Sequence, residues 1–313
     1  MVTAGITAVD VRRSFGGVHA VRGVTLEAPV GAVTGLVGPN GAGKTTLLLM
    51  LASLLAPDGG SIRIADIDPV ADPAAARSRL GWMPDALGAW PSLTVRETLA
   101  ITARLYDLDR AAAARRAEEL LDEVGLRELA DAHARVLSRG QKQRLGLARA
   151  LVHDPSVLLL DEPASGLDPQ ARIDLRGLLR RFAAAGKTVL ISSHILSELE
   201  EVVDDAVFLI DGATVSAERV AEAARRSRTW RVRVAGRDAT AAVMQVADAL
   251  GLDVARVPVD RRDILIPFAS EDDAARGLNT LVAAGVAVAE FSAATGLLEH
   301  TFLDLGSSDG ARS

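Results

Sequence analysis

Cysteine is absent from the 313 residues, so neither a disulfide framework nor a thiolate metal site can be built, and a reducing, intracellular setting is expected. Aromatic residues are scarce at 3%, which leaves little for base-stacking platforms. A basic excess is missing as well: the net charge is −6, and no nucleic-acid partner is expected of a chain without the cationic surplus that neutralises phosphates. Long apolar runs are lacking. Leu47 to Ala56 reaches about half of the ~20 residues that a membrane-crossing helix needs, and Ser53 interrupts it. Met1-Val2-Thr3-Ala4-Gly5 has no basic stretch leading into an apolar one, so no export signal is expected and the chain should be soluble by itself. Lysine is the rarest charge. Lys44, Lys142 and Lys187 stand among 35 basic residues, and the bias toward Arg makes each of them worth asking about.

What is present is apolar bulk, 49% of the chain, over a length beyond one domain of about 100–200 residues; one large and one small domain are expected. Up to residue 225, short β-rich runs alternate with helical patterns, which predicts an α/β layer architecture. Val33–Val37, Val157–Leu160 and Thr188–Ser192 run continuously apolar, as central parallel strands do. From 94 to 153 the pattern turns helical and opens on Thr94-Val95-Arg96-Glu97, which fits a capping box, so a helical insertion is expected there. After Arg225-Arg226-Ser227-Arg228 a β-α-β-β-α-β order over 229–305 suggests a small α+β ferredoxin-like domain, and 306–313 reads as a disordered tail.

Gly38-Pro39-Asn40-Gly41-Ala42-Gly43-Lys44-Thr45 matches G-x-x-x-x-G-K-[ST] between a predicted strand and a predicted helix, the context that this phosphate-binding motif requires. Glycines let backbone N–H groups turn inward, and the helix N-terminus adds its positive end. Lys44 supplies a compact ammonium for β/γ-phosphates, and Thr45 a hydroxyl for Mg²⁺. Asp161 and Glu162 emerge at the C-terminal end of an apolar strand, where open α/β sheets hold ligands. Asp161 suits a Mg²⁺ shell, and Glu162 is placed to polarise an attacking water. Taken singly, a Gly-rich turn before an ordinary helix and an Asp-Glu-Pro strand end are the competing readings.

Leu137-Ser138-Arg139-Gly140-Gln141 narrows the choice. It resembles the L-S-G-G-Q signature of the ATP-binding subunits of ABC transporters, with Arg139 in place of the first glycine. The resemblance runs in order through about residue 220. It implies a mixed α/β sheet core with a helical insertion, ATP and Mg²⁺ as ligands, and a homodimer in which each ATP is shared. On one side of the nucleotide it places Gly38, Pro39, Asn40, Gly41, Ala42, Gly43, Lys44, Thr45 and Thr46. Glu162 and Lys44 would be catalytic, together with His194, which resembles the family's switch histidine. On the other side it places Ser138, Arg139, Gly140, Gln141 and Asp168, the last in Ser165-Gly166-Leu167-Asp168, which looks like the family's D-loop. Ser138 would cap a helix whose positive end faces the partner's γ-phosphate. Phe15 resembles the aromatic that stacks on adenine, and a core phenylalanine is the alternative. Asp85 stands where the family usually has Gln; a carboxylate still offers Mg²⁺ an oxygen but adds negative charge beside phosphates.

The same resemblance implies separate transmembrane permease subunits, attachment to the cytoplasmic side of the cell membrane through them, and a docking place at Ala86-Leu87-Gly88-Ala89-Trp90-Pro91. Local packing of Leu87 and Trp90 under the helical insertion is the other reading. Gly296 to Leu305 resembles the tail of ATPases that serve drug, lipid or polysaccharide exporters. A soluble ATPase acting in DNA repair or translation, and a regulatory nucleotide-binding module that no longer turns over, stay open beside the exporter reading.

Overall fold

A computed structural model describes residues 4–310 except 86, 87 and 89. The chain divides into two compact units, Met1–Val215 and Ser216–Ser313. The division falls before the 225 expected from composition, because the short helix Ala217–Ala224 packs on the C-terminal helix Leu297–Gly310 of the second unit.

The first unit is built on β1 (Ala4–Phe15), β2 (Val18–Pro29), β3 (Val33–Val37), β4 (Gly59–Ile64), β5 (Leu80–Met83), β6 (Val157–Asp161), β7 (Thr188–Ser193), β8 (Asp205–Ile210) and β9 (Ala213–Thr214). They form one sheet in the order β4-β1-β2-β9-β8-β3-β7-β6-β5. From β8 to β5 the pairings are parallel, and β4, β1 and β2 pair antiparallel, so the sheet is mixed. The continuously apolar strands β3, β6 and β7 are buried along their whole length, which is why their sequences do not alternate. The core lies between this sheet and the helix Lys44–Leu51, with Leu36, Leu47, Leu48, Leu51, Leu159 and Leu190 closed to solvent.

The helical insertion comprises Val95–Leu105, Arg110–Glu123 and Arg139–Ala150. The Thr94 side chain accepts from the Glu97 N–H and the Glu97 carboxylate accepts from the Thr94 N–H, completing the expected capping box.

In the second unit β10 (Arg228–Val234), β11 (Val259–Asp260), β12 (Asp263–Phe268) and β13 (Val288–Ala293) form an antiparallel sheet ordered β11-β12-β10-β13. The helices Ala239–Leu250 and Glu271–Ala283 supply its core with Ala242, Val246, Ala274 and Leu281. Of the expected β-α-β-β-α-β order, the second strand is reduced to two residues at the edge. The Asp253 carboxylate caps a 3₁₀ turn at Val254–Arg256, and Pro258 has no N–H to give a ladder. Residues 306–310, read from sequence as tail, continue the last helix, since extending a nucleated helix costs far less than starting one. Residues 311–313 lie outside the described residues.

Candidate functional site

The loop after β3 is shaped by backbone demands that only glycine meets. Gly41 and Gly43 have φ of 84° and 91°. A Cβ on Gly43 would come within 2.3 Å of the Ala20 carbonyl oxygen, and one on Gly38 within 2.5 Å of that of Leu209. The helix Lys44–Leu51 then begins with no side-chain cap, so the N–H groups of its first turn are free of intrahelical acceptors and open to an anion. Lys44 bends back over the loop, where its ammonium donates to Gly38 O at 2.6 Å and Pro39 O at 3.1 Å. Burial lowers its pKa from the ordinary value, and the charges of Glu162 and Asp161 oppose that shift. An incoming phosphate would restore the favourable field that burial takes away.

β6 delivers Asp161 and Glu162. Asp161 is 5% exposed; one carboxylate oxygen accepts from the Ser192 hydroxyl at 2.5 Å and the other lies 3.4 Å from the Thr45 hydroxyl. Glu162 takes a left-handed φ of 53°, rare outside glycine, while its N–H donates to Ser192 O and Oγ at 3.2 Å. That twist separates the two carboxylates, one toward Thr45 and one toward His194. His194 Nδ1 donates to the Glu162 carboxylate at 2.8 Å.

These groups converge on one cleft of about 580 Å³. Its walls include Asn40, Gly41, Gly43, Lys44, Thr45, Thr46, Asp85, Asp161, Glu162 and His194. Asp85 therefore shares the cleft with Thr45 and Asp161. Sequence reading gives no role to Ala20, Leu49, Trp82 or Pro84, which also line the cleft. Nor does it find Ser192, whose hydroxyl holds Asp161; the paired serines before His194 were the available signal. Gly38, Pro39 and Ala42 belong to the loop but not to the lining. Phe15 also stays out of it. Its ring is 46% exposed at the end of β1 with the Arg13 guanidinium 4.8 Å above it, so the alternative of a core phenylalanine falls.

A second group of predicted residues lies apart from this lining. Ser138 N-caps the helix Arg139–Ala150, its hydroxyl accepting from the Gln141 N–H at 3.2 Å while the Gln141 side-chain oxygen accepts from the Ser138 N–H at 2.9 Å. Asp168 caps Pro169–Ala184 through the Ala171 N–H at 2.9 Å. Arg139, expected to reach toward a second subunit, turns onto its own chain and donates to the Ser165 hydroxyl at 2.8 Å. In the apolar loop, Leu87 lies outside the described residues. Trp90 is 43% exposed under the Arg149 guanidinium, so it is not packed away beneath the insertion.

A family profile described as ABC transporter matches residues 21–165. The chain is 42% identical over 217 residues to the Nod factor export ATP-binding protein I of Burkholderia orbicola, covering 69% of this chain and 71% of that one. It is 32% identical over 317 residues to the daunorubicin resistance ATP-binding protein DrrA3 of Streptomyces coeruleorubidus, covering 99% and 98%. Among solved structures, a dimeric ATP-binding cassette in a post-hydrolysis state, bound to ADP and Pi, superposes with a TM-score of 0.62 at 25% identity, over 67% of this chain and 97% of that one.

Proposed function

This chain belongs to the ATP-binding proteins of ABC transporters, and from that premise we propose that it is the ATP-hydrolysing subunit of an exporter, working as a homodimer. The observation that carries the reading is the cleft itself, where an uncapped helix N-terminus, Lys44, Thr45, Asp161, Glu162 and His194 meet. The loop N–H groups and Lys44 would hold the β- and γ-phosphates. Glu162 would orient a water for attack on the γ-phosphorus, with ADP leaving on the β–γ bridging oxygen, and His194 would hold that carboxylate in line.

Thr45, Asp161 and Asp85 offer hard oxygen donors on one side of the cleft, a set that fits a Mg²⁺ whose remaining positions are filled by phosphate and water. When bound, that ion would neutralise charge developing between the phosphates. Among the described residues no group of three or more acidic or His side chains could hold a metal alone, which accords with an ion that arrives with its nucleotide.

The signature residues Ser138, Gly140 and Gln141, with Asp168, lie outside the cleft and would meet the ATP of the second subunit. Phe15, exposed at the end of β1, would stack on adenine. No helix among the described residues is long and apolar enough to cross a membrane, so the work would be done on separate transmembrane subunits, at the cytoplasmic face, with exposed Trp90 in the docking region. The name of the Nod factor export relative supports export, that of the daunorubicin resistance relative supports a drug-like substrate, and a lipid-like one rests on the resemblance of the Gly296–Leu305 tail alone. The β11-β12-β10-β13 order with antiparallel pairing supports a ferredoxin-like accessory domain.

Glu162→Gln tests the reading. ATP turnover should fall about a thousandfold while ATP binding persists and a nucleotide-stabilised dimer accumulates. A chain that stays monomeric at saturating ATP would remove the shared-site mechanism.

A further inference from the structure

Arg139 opens a helix whose N-terminus is already positive, so its charge runs against the helix dipole and gains nothing from the helix. Its side chain resolves that conflict by leaving the axis. The guanidinium reaches Ser165 Oγ at 2.8 Å, and its Cδ and Nε lie 2.5 Å from where a Cβ on Gly166 would stand. Gly166 has φ of 73°, so both its backbone and the passing Arg139 require a residue without a side chain.

One turn further along the same helix, Gln143 makes a second tie. It is 3% exposed, and its amide nitrogen lies 3.3 Å from Ser165 O and 3.5 Å from Glu162 O. Among the described residues its buried side-chain oxygen finds no partner, and the two carbonyls orient the amide. Residues at i and i+4 of one helix therefore grip the two ends of the turn closed by Ser165 N–H to Glu162 O at 3.1 Å. That turn carries the Glu162 carboxylate, and Ser165 lines the same cleft as Glu162 and His194.

We propose that Arg139 is a positioning residue acting within its own subunit: it latches the start of the signature helix to Ser165 and so sets where Glu162 stands. The latch rests on the shared-site reading above for its purpose. A nucleotide of the partner that draws on Ser138 and Gly140 then pulls on the Glu162 turn of the subunit that presents them.

Hydrogen exchange on the nucleotide-free chain, kept dilute and monomeric, tests the latch without any partner. In Arg139→Ala the Ser165 and Leu167 amides, which donate to Glu162 O and Ala164 O, should exchange about tenfold faster, with the Leu47 amide unchanged as a control for folding. Unmoved amides at 165 and 167 would overturn the proposal, since a residue that only touches a partner's nucleotide has no effect in a monomer. In turnover, Arg139→Ala and Ser165→Ala should each lower kcat about fivefold with KM for ATP within about twofold, and the double variant should be no slower than either. Raised KM at unchanged kcat, or multiplying effects, would place Arg139 on the partner's nucleotide instead. If Glu162→Gln never dimerises with ATP, the shared-site reading falls, and the exchange result still decides the latch.

Discussion

Two helices begin where phosphates are expected, and they begin in opposite ways. Lys44–Leu51 starts after a left-handed glycine with no side-chain cap, so its orphan N–H groups stay available. Arg139–Ala150 starts with a complete capping box, in which the Gln141 N–H is already taken by Ser138. The first is proposed as an anion site that this chain assembles alone. The second is self-satisfied, and what it has left to offer is the Ser138 hydroxyl proton, the positive end of the helix and the Gly140 backbone. The difference separates a terminus preorganised by glycines, whose cost is the backbone entropy lost on ordering them, from a capped terminus that is stable when empty and is proposed to gain only when a nucleotide arrives.

Removing the cation at the uncapped terminus should produce the largest effect. Lys44→Ala should lower ATP turnover about a thousandfold, measured as steady-state phosphate release. Folding should suffer little, because the buried ammonium is disfavoured by desolvation in the empty site. A variant with near-normal turnover would mean that the loop amides suffice without Lys44.

The uncapped terminus was legible because its demands are local. Glycine spacing, one lysine in an Arg-rich chain and flanking apolar strands are all properties of contiguous sequence, and Asp161 with Glu162 follows from the end of β6. What escaped is what depends on tertiary approach. Arg139 reads as an outward cation because nothing near residue 139 announces Ser165; only the packing of the signature helix on the 162–166 turn brings them together. Ser192 holds Asp161 across a sheet pairing between β6 and β7 that periodicity cannot register. In the second unit the helices and three of four strands followed their patterns, whereas the edge strand failed where Asp253 and Pro258 imposed turn chemistry.

The capped terminus is sharpened by comparing it with a capped helix away from the cleft. Ser138→Ala and Thr94→Ala each delete the hydroxyl of a complete box, and each should cost about 1 kcal/mol of unfolding free energy in urea titration. Only Ser138→Ala should also reduce turnover, by about tenfold, since only that hydroxyl is proposed to serve a nucleotide. Equal turnover in the two variants would reduce the signature serine to a cap.

The smallest effect distinguishes the two boxes by charge. Thr94 is answered by Glu97, a carboxylate, and Ser138 by Gln141, an amide. The backbone N–H of Thr94 and then its side chain hold the Glu97 pKa below its ordinary 4.5. A carboxyl group whose pKa is lower folded than unfolded contributes stability that is complete above the unfolded value and fades as pH falls through the folded one. Thr94's box should therefore weaken on acidification below about pH 4.5, whereas the Gln141 box has no group to protonate. Glu97→Gln should flatten part of the acid limb of the stability curve, followed by urea midpoints between about pH 3 and 6. Turnover at neutral pH should not change. A neutral amide also spares the signature helix a carboxylate beside phosphates, so the same backbone motif serves structure at Thr94 and leaves room for an anion at Ser138. An acid limb identical in Glu97→Gln and the parent chain would show that the Thr94 box holds as firmly with a protonated carboxyl as with a charged one.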